Sequence, residues 1–280
     1  MRIFMKKKFI LLLSTLLLSS CTNNQTTTSS EPSSNSTSTD TIEHFYSVDV
    51  PTIAHRGYAI NEIENTADAF IEAGKRNFIG IETDIYFTKD NWVVCNHDNK
   101  IRGMNKNIDE CTLSEIMEVD LSLKGDKEVH VCTFNEYLQI CAEYNKIPVI
   151  EFKTTPAENR IEFIIDLIKQ EYGDINNVMF ISFGRLILQR MQKLAKLNDY
   201  KYEIYRLTQS DSAIDEAIED NMNIDHQWDI LTDEQIKKVK EANLKVTAWT
   251  CNDEKAIPSL IERGVEIITT DYIECDPKYC

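Results

Sequence analysis

The chain has 280 residues, 42% of them hydrophobic, enough for one sizeable core and in keeping with a single α/β barrel. Its 30 Lys and Arg face 46 Asp and Glu, a formal net charge of −16, which argues against nucleic acid and against a surface that grips anionic lipid. An anionic substrate is compatible with this charge where a cation or local Lys and Arg offset the field.

Residues 1–20 read as a lipoprotein signal peptide. Arg2, Lys6, Lys7 and Lys8 form a positive n-region, and "FILLLSTLLL" is an apolar run too short to span a bilayer. "LSSC" comes next, Leu18 to Cys21, and resembles a bacterial lipobox in which Cys21 receives the lipid. An ordinary secretory signal is the alternative, but the cysteine stands at the end of the apolar run and a tether-like tract adjoins it. That tract, Thr22 to Asp40, is Ser/Thr-rich and nearly free of large apolar side chains, so residues 21–46 read as a flexible spacer. Once the four cations of the signal are removed, 26 cations face 46 acids and the net charge is −20. The remaining cysteines, at 95, 111, 132, 141, 251, 275 and 280, contain no C-x-x-C pair, which disfavours a zinc site and leaves the disulfide pattern open.

The folded domain is expected over 47–280. Apolar runs bounded by polar turns fall at 51–55, 79–85, 147–152, 177–182, 202–206, 222–225, 244–249 and 266–270, with helical periods in most of the gaps. Eight such alternations predict a closed (β/α)8 TIM barrel, with a doubly wound open sheet as rival. The third gap is predicted to be a helix with Thr155 as N-cap, Pro156 at the first position and Glu158 closing a capping box, burying Ile161, Ile164, Ile165 and Ile168. A second box, Thr232 to Gln235, opens the helix carrying Ile236 and Val239. The excursion between the second and third strands, roughly 86–146, exceeds what a crossover needs. It is expected to hold a short hairpin strand, "WVVCNHD", and a polar insertion over the barrel mouth.

In a barrel the loops after each strand build the active site. The first strand ends in His55-Arg56, and Gly57 lets the chain turn sharply. Asn65 or Thr66 then caps the first helix. Glu82 and Asp84 stand two apart in "GIETDIYF", so both carboxylates share a face. Such a pair is commonly the solvent side of an edge strand, but that would leave Ile81, Thr83 and Ile85 as the inward set of a strand flanked by helices. Turned inward, the two acids need compensation, and hard oxygen ligands suit Ca2+ or Mg2+. Glu151 and Lys153 share a face of the third strand, the hairpin brings His97-Asp98, and the last strands end in Trp249 and Thr270-Asp271.

Together, "AHRG" at 54–57, "ENT" at 64–66, "GIETDIYFTKD" at 80–90, "VVCNHD" at 93–98, "EFK" at 151–153, "AWTCN" at 248–252 and "ITTD" at 268–271 resemble the glycerophosphodiester phosphodiesterase family, over about Val50 to Tyr272. The resemblance implies a (β/α)8 barrel with an insertion after the second strand. It implies His55 and His97 as general acid and base, and Glu82, Asp84 and Glu151 as ligands of one divalent cation. It also implies Arg56 and Lys153 on the phosphate oxygens and Trp249 beside the glycerol pocket. The expected reaction is metal-dependent hydrolysis of glycerophosphodiesters, or of glycerol phosphate polymers, to glycerol 3-phosphate and an alcohol, in which the glycerol hydroxyl can attack first to give a cyclic phosphate. The enzyme is expected to be extracytoplasmic and lipid-anchored to a bacterial membrane. Alternatives are a phosphatidylinositol-specific phospholipase C, a lyase that stops at the cyclic phosphate, and a non-catalytic lipoprotein that binds glycerol phosphate polymers. Ile63, Asn91, Cys132 and Ile273 depart from the family pattern, which has proline, glycine, proline and proline there.

Overall fold

The computed structural model of the protein describes residues 47–122 and 127–280; the expected signal peptide of 1–20, Cys21 and the tether of 21–46 lie outside the described residues. Eight short strands carry the fold: β1 (Thr52–Ala54), β2 (Gly80–Phe87), β3 (Ile147–Phe152), β4 (Met179–Ser182), β5 (Glu203–Thr208), β6 (Asn223–Gln227), β7 (Val246–Trp249) and β8 (Ile267–Thr270). Each pairs in parallel with its neighbours in chain order, and β1 pairs with both β2 and β8, which closes the barrel. Helices come after the first seven strands: α1 (Ala67–Gly74), α2 (Phe134–Glu143), α3 (Glu158–Glu171), α4 (Arg185–Asn198), α5 (Asp211–Glu219), α6 (Asp233–Glu241) and α7 (Ile257–Glu262). All eight expected strands are present, and the open-sheet rival is excluded by the closure.

Successive strand residues point to opposite faces. One parity packs outward under the helices, where Ala54, Ile81, Ile85, Ile150, Phe152, Phe180, Ile224, Val246 and Ile268 join the main core. The other parity fills the barrel with Ile53, Val149, Met179, Ile181, Tyr205 and Leu207. Glu82 and Asp84 have this inner parity. The two acids therefore do not lie on a solvent face.

Local signals place most helix starts. Thr66, not Asn65, caps α1, its hydroxyl accepting from the Ala69 N–H, and Thr232 with Gln235 forms the expected box at α6. The expected start of α3 is corrected. Ala157 is the N-cap, without a side-chain cap, because the chain stays extended past Pro156, whose carbonyl accepts from Arg190. The four isoleucines of α3 are buried as expected.

The excursion after β2 begins with the short strand Val93–Cys95, antiparallel to β2. The remainder of the excursion is less polar than expected. Ile101, Ile108, Cys111, Ile116, Leu121 and Val131 bury together against Tyr86 and Val94, a second small core beside the barrel, and Ile63 packs onto it. The departures from the family pattern find physical places here. Asn91 adopts φ +65°, a left-handed turn that glycine serves best and asparagine tolerates. Cys132 and Ile273 are buried in the main core.

Candidate active site

The inner parity brings the acids together near the C-terminal ends of the strands. Register sets Asp84 directly beside Glu151, with Glu82 one level deeper beside Val149. One oxygen from each of Glu82, Asp84 and Glu151 lies within 4.8 Å of the others, and all three residues are buried. Lys153 Nζ lies 3.1 Å from Glu151 and 3.3 Å from Asp84. Arg56 takes a left-handed backbone, φ +53°, which turns its N–H onto Glu82 Oε2 at 2.8 Å. Its guanidinium donates to both oxygens of Glu64, at 3.0 and 3.1 Å, and its Nε stands 3.5 Å from Asp84.

Charge in this cluster is uncompensated. Three carboxylates face Lys153 and an Arg56 that is shared with Glu64, so negative charge is in excess. Burial, with Asp84 and Glu151 adding repulsion, drives the Glu82 pKa well above the ordinary carboxylate range. Burial and Asp84 together push Glu151 up to about 7. Burial also works to raise Asp84, but Lys153, Arg56 and the Asn65 amide outweigh it and hold the Asp84 pKa below the usual value. A group of hard, converging oxygens that resist ionisation for want of positive charge fits a divalent cation. The triad can hold one, and its donors are those that Ca2+ or Mg2+ prefers.

The two histidines are held alike. His55 Nδ1 lies 2.8 Å from Asp271 Oδ1, and His97 Nδ1 lies 2.8 Å from Asp98 Oδ1. Burial tends to raise the Asp271 pKa, yet its bond to His55 brings it below the ordinary value, so it is ionised at neutral pH. An ionised carboxylate only accepts, which puts the proton on Nδ1 and leaves Nε2 available. Asn96 N–H donates to the Asp84 carbonyl at 3.0 Å, tying the chain just before His97 to β2. His55, Arg56, Glu82, His97, Glu151, Lys153 and Trp249 line one pocket. Every residue expected at the pocket lines it or, for Asp84, contacts the Arg56 and Lys153 side chains that do; Cys21 lies outside the described residues.

The sequence profile of the glycerophosphoryl diester phosphodiesterase family matches residues 55–275. The chain belongs to that family. The glycerophosphodiester phosphodiesterase of Caldanaerobacter subterraneus is 28% identical over 230 residues, 78% of this chain and 93% of that protein. A putative glycerophosphodiester phosphodiesterase of Bacillus subtilis is 29% identical over 237 residues, 79% of this chain and 93% of its own. Among solved structures, a glycerophosphodiester phosphodiesterase from Parabacteroides distasonis superposes with a TM-score of 0.66 at 26% identity, covering 80% of this chain and 94% of that one. An Oleispira antarctica phosphodiesterase, solved with the product sn-glycerol-3-phosphate, shares the fold at TM-score 0.69 and 22% identity, covering 79% and 93%.

In this phosphodiesterase barrel several neighbours of the site escaped sequence reasoning. Asn65, expected only as a possible cap, is buried; it donates to Asp84 Oδ2 at 2.9 Å and accepts from Thr83 Oγ1 at 2.7 Å. Asn252 donates to Asp271 Oδ2 at 2.5 Å, and its own Oδ1 accepts from the Asp271 N–H at 2.9 Å. Both residues sit in the "ENT" and "AWTCN" blocks, so the signal was there without the role. Phe183 and Asp225 also line the pocket and belong to no block. Strand parity alone finds them, since Phe183 continues the inner parity of Met179 and Ile181, and Asp225 stands two residues from Asn223 and Gln227 in β6.

Proposed function

We propose that the protein hydrolyses glycerophosphodiesters to glycerol 3-phosphate and an alcohol, with His55 and His97 as the acid–base pair. The convergence of both histidines, Arg56, Lys153 and the buried carboxylate triad on one pocket carries this reading. A divalent cation bound to Glu82, Asp84 and Glu151 would offset the excess negative charge of the cluster and would draw charge from the phosphate oxygens. Arg56 and Lys153 hold those oxygens and offset the charge that builds as the new P–O bond forms. One imidazole Nε2 takes the proton of the attacking oxygen; the other gives a proton to the alcohol oxygen as its bond to phosphorus breaks. Trp249, its indole N–H fixed on the Asp225 carbonyl at 3.0 Å and its ring edge-on to Phe183, walls the far side of the pocket. We also propose that Cys21 carries a lipid that anchors the enzyme at the outer face of the cell membrane; the motif at 18–21 and the spacer after it support this.

The test is a panel of glycerophosphodiesters and a glycerol phosphate polymer, incubated with the full chain in Ca2+, in Mg2+ and in EDTA, with products identified. Release of glycerol 3-phosphate that EDTA abolishes is expected, and His55→Ala or His97→Ala should remove it without lowering the melting temperature. A cyclic glycerophosphate as the final product would make the protein a lyase. Tight binding of the polymer with no turnover would make it a binding protein.

A further inference from the structure

Asp225 is the one acid of the pocket that the proposed chemistry does not use. It stands mid-way along β6 on the inner parity and is 4% exposed. Its Oδ1 accepts from the Thr247 hydroxyl at 2.9 Å, and its backbone carbonyl holds the Trp249 indole. Among the described residues nothing donates to Oδ2, and no Lys, Arg or His forms an ion pair with the carboxyl. The residue nevertheless lines the pocket that contains His55, Glu82 and Lys153, across from them beside Ile181, Leu207 and Trp249. Burial pushes its pKa up to about 7, with only the Thr247 bond opposing. A threonine partner alone is an inadequate reason to bury a carboxyl, because one hydroxyl satisfies only one of its roughly four acceptor sites. Asp225 lines the space a substrate would fill, with this acceptor capacity unmet by the protein.

Resting on the hydrolase reading above, we propose that Asp225 determines specificity at the inner end of the pocket by accepting a hydrogen bond from a hydroxyl of the substrate's polyol. The phosphate is drawn to the opposite wall by Arg56 and Lys153, so the group that reaches Asp225 is an uncharged or cationic end of the molecule. The apolar flanks of Ile181, Leu207 and the Trp249 ring would accept a plain alkyl chain equally well, and the carboxyl supplies the discrimination they lack. A site built to pair with a hydroxyl rejects the analogue without it, because the buried polar group is then left unpaired. A quaternary ammonium brings no donor to the unfilled acceptor position; a primary ammonium does, and it is the competing occupant that the experiment separates from a hydroxyl.

The experiment measures binding by calorimetry to the Ca2+-loaded full chain, using sn-glycerol 3-phosphate, 1-propyl phosphate (the same carbon chain without hydroxyls) and O-phosphoethanolamine. Wild type is expected to favour sn-glycerol 3-phosphate over 1-propyl phosphate by roughly tenfold or more. Asp225→Leu should bring the two within about threefold, while Asp225→Asn, which keeps an acceptor oxygen, should retain most of the preference. As a measure that needs no variant, the 13C carboxyl resonance of Asp225 should move with sn-glycerol 3-phosphate and stay in place with 1-propyl phosphate. The proposal is overturned if wild type shows no preference, if a folded Asp225→Leu variant keeps it, or if the carboxyl resonance responds equally to both. It is also overturned if Asp225→Leu weakens only O-phosphoethanolamine, which would make Asp225 a cation site. A wild type that discriminates as expected but releases no glycerol 3-phosphate from diesters would refute the hydrolase reading and leave this one intact.

Discussion

Glu82 and Glu151 are acids whose folded environment opposes their charge, and that has a consequence for stability. Glu151 titrates near 7 in the folded chain against an ordinary value of 4.5, and Glu82 is shifted the same way by burial and its acidic neighbours. Between those values the folded state holds protons that the unfolded chain has released. Stability from these groups is therefore full below about 4.5 and is lost as pH rises through about 7. For Glu151 alone the difference amounts to about 3 kcal/mol. Asp84 works in the opposite sense, but its lowered pKa matters only as pH falls below the ordinary value of 3.8. A bound divalent cation favours the ionised carboxylates, so it should remove the loss above pH 7. The melting temperature in EDTA is thus expected to fall from pH 5.5 to pH 8.5, and in saturating Ca2+ to stay level or rise. Glu82→Gln, a neutral near-isostere, should flatten the EDTA profile and blunt the gain from Ca2+. Equal slopes with and without the cation would mean that the triad is not where it binds.

At the scale of elements, the barrel was legible because inner and outer parities carry different chemistry. Apolar runs marked all eight strands, and "ETD" and "EFK" put charge where a strand between helices should have none. The parts that stayed illegible depend on contacts distant in sequence. Thr155 has the chemistry of a cap, yet α3 starts three residues later because Arg190, from α4, takes the Pro156 carbonyl. The small core of the excursion has no helical or strand period, since its residues come from turns and one five-residue helix, Leu113–Met117. Asp225 carries no motif; the parity of β6 marks its face, and closure of the barrel brings that face to the site. Gly57 shows the converse, a local signal with a tertiary reason. Its φ is +84°, and a Cβ there would lie 2.8 Å from the carbonyl carbon and oxygen of Ala69 in α1. The same carbonyl accepts from the Tyr58 N–H at 2.9 Å, so loop and helix cannot part without losing that bond. Gly57→Ala should cost about 1–3 kcal/mol from the left-handed backbone alone, with the contact adding to it. Because the loop also carries His55 and Arg56, kcat should fall along with the denaturation midpoint. A variant as stable and as active as wild type would contradict this packing.

For the whole molecule, the direction in which the chain joins the barrel bears on how it can act at a surface. Ser47 and Val48 pair in parallel with Glu274 and Cys275, a two-stranded ribbon outside the barrel. Glu274 accepts from the Asn77 N–H at 2.9 Å and from Arg76 at 3.2 Å, and both residues lie in the turn that leads into β2. Cys275 N–H also donates to the Asn77 carbonyl at 2.9 Å. The ribbon therefore sits at the N-terminal ends of the strands, whereas His55 and Trp249 sit at or just beyond their C-terminal ends, and the pocket they line opens on that side. In a barrel the first of these faces serves stability and the second serves chemistry. The described chain thus begins, at Ser47, on the face of the barrel away from the pocket, and an anchor attached there would leave the pocket facing the other way. A chain that begins at His44 should keep kcat/KM within about twofold on soluble glycerophosphodiesters, because it keeps every described residue of the site. Fused instead through its first residue to a lipid anchor on vesicles, the same chain should retain that rate on soluble substrate. Moving the anchor to a cysteine introduced at Lys100, beside the His97 loop, should reduce it. Equal rates for the two attachment points would show that the pocket is reached from either orientation, and the placement of the ribbon would then carry no functional consequence.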